Sequence, residues 1–160
     1  MKIKKVSFDT MSIVDAAQSL ESLLYINKKW NLKHHRLIIS TRVEGEAINR
    51  LQKAPYNYDK EQAKEMVGKV MKHLNLHREF KEDIDDKNGN ELIKKYGNTG
   101  CHYPDSTIIA HMKRIHVDIV ITRDKKFKEV AEKEGLKVHY IPTKESIIGH
   151  RVSQLFRGRH

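Results

Sequence analysis

The sequence predicts an α/β fold in three layers, with a central parallel sheet between two sets of helices, and three observations lead there. Short β-branched runs alternate with longer stretches of helical periodicity. Two of those runs, Leu37-Ile38-Ile39-Ser40 and Asp118-Ile-Val-Ile-Thr122, are apolar almost throughout, as strands buried on both faces are. Several runs also stop abruptly on an acid or a small polar residue, the form of a strand handing over to a crossover helix. At 160 residues the chain suits one domain with a substantial core, taken as residues 1–160.

Each element follows in order. Ile3, Val6 and Phe8 form a β-compatible stretch that ends at Asp9-Thr10, placing an acid at the tip of the first strand. From Ser12, a reasonable N-cap, Ile13, Ala17, Leu20 and Leu24 recur at helical spacing. Leu37 to Ser40 is the second strand, and Thr41 can cap a helix carrying Val43, Glu44, Glu46, Ile48 and Leu51. Between Asp59 and Asn75, the residues Ala63, Met66, Val67, Val70, Met71 and Leu74 repeat at steps of three and four, with Asp59 and Gln62 as a capping box.

The stretch from Leu76 to Gly100 is polar and irregular, which reads as a solvated loop with a short helix from Glu91 to Tyr96. It is not an EF-hand: counting back from Gly89 as the sixth position puts Ile84 first, and Ile84 cannot bind a cation. After Pro104, the residues Ile108, Ile109, Met112 and Ile115 give a helical face with Asp105 at or near its N-cap. The strand Asp118–Thr122 runs into Arg123-Asp124. Phe127, Val130 and Ala131 mark a helix that Gly135 stops. Lys137 to Pro142 reads as a last strand, and Ile148, Val152, Leu155 and Phe156 as a terminal helix before the basic end.

Composition narrows the function classes. Lysine and arginine number 31 against 21 acids, a formal net charge of +10, which favours a polyanionic partner such as nucleic acid. The single cysteine, Cys101, excludes an intrachain disulfide and a Cys-x-x-Cys zinc knuckle, and suits a reducing cytoplasmic setting. The ten histidines show no metalloprotease spacing and are read mostly as surface residues. No signal-peptide core precedes the first charges, and no apolar run approaches the ~20 residues of a membrane span, so no membrane partner is expected.

The chemistry is carried by acids far apart in sequence. Ligands of parallel sheets gather at the C-terminal strand ends. Asp9 and Asp124 follow predicted strands, and Glu46 and Asp105 fall in first turns of helices that begin on the same edge. Taken singly, an aspartate after a strand is commonly a cap or turn residue. Four converging carboxylates repel one another unless a cation compensates, and hard oxygen donors favour Mg²⁺ or Mn²⁺ over zinc. On a basic protein, an acidic metal pocket points to phosphodiester cleavage. Asp15, Asp59, Asp83, Asp85 and Asp86 lack that positional logic and are expected on solvated surface.

Three segments carry a resemblance to a known family: Phe8-Asp9-Thr10; Tyr103-Pro104-Asp105-Ser106-Thr107-Ile108-Ile109-Ala110; and Ile121-Thr122-Arg123-Asp124-Lys125-Lys126-Phe127 with Gly135-Leu136-Lys137-Val138. Together with the order of elements they resemble the PIN domain, a compact α/β nuclease module. The resemblance implies a Mg²⁺- or Mn²⁺-dependent endoribonuclease cleaving single-stranded or structured RNA. It puts Asp9, Asp105 and Asp124 on the family's acidic positions and Glu46, or alternatively Glu44, on the remaining one. Thr10 and Thr122 become candidate polar supports. A cognate antitoxin and a homodimeric second copy are candidate partners, since many family members are toxins while others process RNA. Met11, where the family often has asparagine, is a departure.

Met11 also argues against a haloacid-dehalogenase-like phosphatase, which needs a second acid there. A receiver domain lacks its acidic pair, and no Gly-x-Gly-x-x-Gly or Walker loop occurs. The remaining rival is a non-catalytic RNA- or protein-binding module on the same fold.

Overall fold

The computed structural model describes residues 2–141, so the expected terminal helix and Pro142 lie outside the described residues. A five-stranded, wholly parallel sheet stands in the order β3-β2-β1-β4-β5. Its strands are β1 (Lys5–Phe8), β2 (Arg36–Ser40), β3 (His77–Glu79), β4 (Ile119–Thr122) and β5 (Lys137–Tyr140). All four residues of β4 and the last four of β2 are buried, so the near-continuous apolar runs do mark strands covered on both faces. Among the described residues seven α-helices cover the sheet in a three-layer α/β/α arrangement: α1 (Thr10–Gln18), α2 (Leu20–Trp30), α3 (Thr41–Leu51), α4 (Lys60–Leu74), α5 (Asp83–Tyr96), α6 (Asp105–Arg114) and α7 (Lys125–Lys133). Helices α1, α3 and α4 pack on one another, as do α5 and α6. No helix among the described residues is long and apolar enough to cross a membrane.

Local chemistry moves several boundaries. Ser12 is not an N-cap. Asp9 takes that position, its Oδ1 accepting the Ser12 N–H at 2.9 Å, because an aspartate three residues upstream offers a stronger acceptor to the free N–H groups. The single helix expected through Leu24 is two helices, broken at Ser19, whose extended backbone lets its hydroxyl cap α2. Leu20 and Leu24 consequently point to solvent, while Leu23 and Ile26 enter the core. Ser40, not Thr41, caps α3. The capping box of Asp59 and Gln62 stands as expected, with both hydrogen bonds formed at 2.8 and 3.1 Å.

The larger correction is the region from Leu76 to Gly100. It contains strand β3 and the 14-residue helix α5 rather than a solvated loop with a short helix. Asp83, Asp85 and Asp86 sit in the first turn of α5, where the helix dipole favours acids. Gly89, which reads as a breaker, is a contact glycine: a Cβ there would lie 2.9 Å from the backbone of Thr107 on α6. Packing against α6 therefore overrides the poor helix propensity of Asn88-Gly89-Asn90.

Asp85 and Asp15 also depart from the expected solvated surface. Asp85 is fully buried and clamped by Arg114 at 2.8 and 3.1 Å, and Asp15 is buried against Arg123 at 2.9 Å. Asp86 is half-buried between Lys81 and Thr107. Among the histidines, His111 is fully buried, its Nδ1 2.8 Å from Ser40 Oγ.

Candidate active site

The adjacent central strands β1 and β4 deliver Asp9 and Asp124 to one edge of the sheet, since Phe8 pairs with Ile121. Asp9 is buried, 4% exposed. Its Oδ1 accepts the Ser12 N–H and the Ser12 hydroxyl at 2.9 and 2.5 Å, and its Oδ2 accepts the Thr122 hydroxyl. Burial nevertheless pushes the Asp9 carboxyl upward, with the charge of Asp124 adding to it, against the hydrogen bonds of Ser12 and Thr122. Thr122 Oγ1 in turn accepts the Asp124 N–H at 3.0 Å, so one threonine bridges the two strand-end acids. Thr10 Oγ1 is buried with no hydrogen-bond partner among the described residues.

Asp124 caps α7: its Oδ1 accepts the N–H groups of Lys126 and Phe127 at 2.8 and 3.3 Å. Oδ2 makes no hydrogen bond among the described residues. Asp105 is the first residue of α6, after Pro104. Its side chain makes no hydrogen bond or ion pair among the described residues, and its carboxyl is pushed up to about 7 by burial and then by the charges of Asp9, Asp124 and Glu46. All four expected acids therefore meet electrostatically at Asp105. Glu44 does not contribute; both its oxygens accept Arg78 Nε from β3, at 2.8 and 2.9 Å.

Glu46 pairs with Arg42 one turn back on α3 at 2.9 Å, and the Arg42 guanidinium lies 4.5 Å from the centre of the Tyr103 ring. Lys126 crosses Gly100, whose φ of +92° strains any residue with a side chain. Among the described residues no three His, Cys, Asp or Glu side chains form a ready metal-ligating cluster. The donor chemistry still fits a hard divalent cation. The set is all carboxylate oxygen, and the Asp105 carboxyl is raised by burial first and then by the charges of the other three acids.

Sequence reasoning missed Ser12, Arg42, Tyr103 and the bridging part of Thr122. Only the first had a readable signal, because Asp9-Thr-Met-Ser12 has the spacing of an aspartate N-cap and its N3 residue.

In comparisons with known proteins, no curated protein sequence matches the chain. Solved structures match the fold. VapBC2 from Rickettsia felis, bound to a DNA fragment from their promoter, superimposes with a TM-score of 0.66 at 18% identity, over 86% of this chain and 98% of that one. DNA-bound VapBC from Salmonella typhimurium gives 0.60 at 15% identity, with the same coverage of both chains. A domain of a functionally unknown protein from Methanocaldococcus jannaschii gives 0.53 at 17% identity, over 88% and 92%. At these identities the likeness concerns the fold alone. The PIN domain family model, in contrast, matches residues 6–133, which hold all four acids and every element but β5 and the first residue of β1, and the chain belongs to that family.

Proposed function

We propose that the chain is a divalent-metal-dependent endoribonuclease whose site is built on Asp9, Glu46, Asp105 and Asp124. PIN domains are generally nucleases, and those nucleases generally use divalent metal ions. The observation that carries the reading to these residues is the Asp105 carboxyl, raised to about 7 by burial and then by the charges of Asp9, Asp124 and Glu46. Such crowding is costly in a metal-free protein and is relieved by an oxygen-preferring cation. Glu46 is preferred to Glu44 because Glu46 acts on Asp105 while Glu44 is engaged by Arg78.

Asp9, Glu46, Asp105 and Asp124 would hold a Mg²⁺ or Mn²⁺, which would supply positive charge for the phosphate and make water there more acidic. The chain's own groups prepare that event. Ser12 and Thr122 fix the Asp9 carboxylate in orientation, and Thr122 ties it to the strand end that carries Asp124. The α7 N–H groups hold one Asp124 oxygen and leave the other without a partner in the described structure. Arg42 restrains Glu46, and Lys126 stands by as a cation for the nucleic acid backbone. The net charge of +10 supports a nucleic acid as the polyanion. The likeness to VapBC structures supports a toxin role with a cognate antitoxin and a second copy as partners.

The test is cleavage of RNA and of single-stranded DNA in Mn²⁺, Mg²⁺ or EDTA, with Asp9→Asn and Asp124→Asn as controls. Cleavage of RNA that needs the metal and falls more than about 100-fold in both variants is expected, since even outer-shell changes cost 10–100-fold. Activity that survives EDTA, or variants as active as wild type, would overturn the metal mechanism. The caps formed by Asp9 and Asp124 also suit a non-catalytic RNA- or protein-binding module, in which both acids are structural. RNA binding without cleavage under every condition would establish that alternative.

A further inference from the structure

Tyr103 is held on one face by Arg42 and otherwise takes no part in the packed interior. It is 56% exposed, lies outside the core, and its hydroxyl makes no hydrogen bond among the described residues. Yet it stands two residues before Asp105, separated only by Pro104. One face of its ring is covered by the Arg42 guanidinium at 4.5 Å, and the same guanidinium reaches Glu46 through Nη2 at 2.9 Å. Arg42 is itself restrained: it lies in the first turn of α3, its N–H donates to Ser40 Oγ at 3.1 Å, and its Nε is buried. The ring is thereby propped from behind and presented at the border of the acidic site.

An aromatic ring in that position suits a flat, unpaired partner. A base within a duplex already has both faces stacked, whereas a single strand offers free faces, and stacking is tolerant of sequence because every base has a π-face. We infer that Tyr103 is the base-stacking residue of this site, holding an unpaired nucleobase next to the phosphate to be cleaved, with Arg42 as the support that fixes the ring. This rests on the nuclease reading and adds to it the residue that holds the base beside the scissile phosphate. Lys81 lies on the same side, its N–H donating to Thr41 Oγ1 at 2.9 Å beside Arg42 and its ammonium paired with Asp86.

The experiment compares binding of two eight-nucleotide RNA strands in EDTA at low salt, one with ordinary bases and one abasic throughout, by fluorescence anisotropy. Wild type, Tyr103→Ala and Tyr103→Phe are measured, and cleavage of ordinary RNA in Mn²⁺ is run alongside. Wild type is expected to favour the base-bearing strand. Tyr103→Ala should lose about 5- to 100-fold on that strand and nothing on the abasic one, while Tyr103→Phe stays within about threefold of wild type. A 2-aminopurine in the base-bearing strand should be quenched by wild type and by Tyr103→Phe but not by Tyr103→Ala. Equal wild-type affinity for the two strands, or an equal loss on both in Tyr103→Ala, overturns the stacking role even where cleavage proceeds. Absence of both binding and cleavage in wild type would remove the nuclease reading, and this inference with it.

Discussion

Asp105 opens helix α6 and Arg114 closes it, and the carboxylates at these two ends are held in opposite states. At the N-terminal end, Asp105 faces Asp9, Asp124 and Glu46, and its carboxyl is pushed up to about 7. At the C-terminal end, burial alone would raise Asp85, but the Arg114 hydrogen bonds and the Glu82 N–H outweigh it and hold the carboxyl below its ordinary range. Glu134 follows α7 and belongs with Asp85. Burial is outweighed there by Lys113, Tyr96 and Lys95, and the carboxyl falls to about 2. Shielding from water is common to all three, so the sign of the neighbouring charge decides the outcome. Paired acids serve stability, whereas acids crowded together cost stability and so mark the place where function is to be sought.

Breaking the paired end should have the largest effect on folding. Asp85→Asn leaves Arg114 beside a neutral amide and is expected to cost about 3 kcal/mol in denaturant unfolding, since removing one partner of a buried pair strands the other charge. A cost below about 1 kcal/mol would mean that Arg114, which is partly exposed, rehydrates without loss.

The crowded end should respond in the opposite direction. The folded carboxyl of Asp105, near 7, lies above the unfolded value, so the native state binds the extra proton between about pH 4 and 7. Stability of the metal-free protein should therefore fall as pH rises through that window. Asp105→Asn should raise unfolding stability at pH 8 by about 1–2 kcal/mol and leave it nearly unchanged at pH 4. Mn²⁺ or Mg²⁺ should raise the wild-type Tm at pH 8 and do little at pH 4. A destabilised Asp105→Asn at pH 8 would contradict the crowding argument.

Glu134 sharpens the contrast at smaller amplitude. Its folded value lies below the unfolded one, so its contribution is present above about pH 4 and is lost as pH falls toward 2. Because Lys95 and Lys113 are well exposed, Glu134→Gln should cost only about 1 kcal/mol at pH 7. That cost should vanish on acidification in an unfolding series from pH 7 to pH 2.

How much of this could be read in advance differed with the range of the interactions. Helix α4 was legible because its signals are local: a capping box at Asp59 and Gln62, then a stripe of buried residues from Ala63 to Leu74. Strand β3 has only three residues and no apolar one, so neither period nor composition marks it. Helix α5 was hidden because Gly89 breaks helices in isolation and suits this one only against Thr107. The acids Asp9, Asp105 and Asp124 were legible as strand-edge and helix-start residues. The bond from Thr122 to Asp9 was not, since it joins residues 113 apart in sequence.

The alternation of buried strands and amphipathic helices, the basic composition and the placing of acids at strand ends follow from neighbouring residues, because periodicity and strand ends are local properties. Which acids are neutralised and which are crowded depends on how the chain folds back on itself. Asp85 meets Arg114 across two helices, Asp105 meets three acids from three other segments, and Arg42 is set between Glu46 and Tyr103. Charge acts through space, so its balance at a carboxyl is fixed by the fold that gathers the neighbours and not by the residues beside it in the chain.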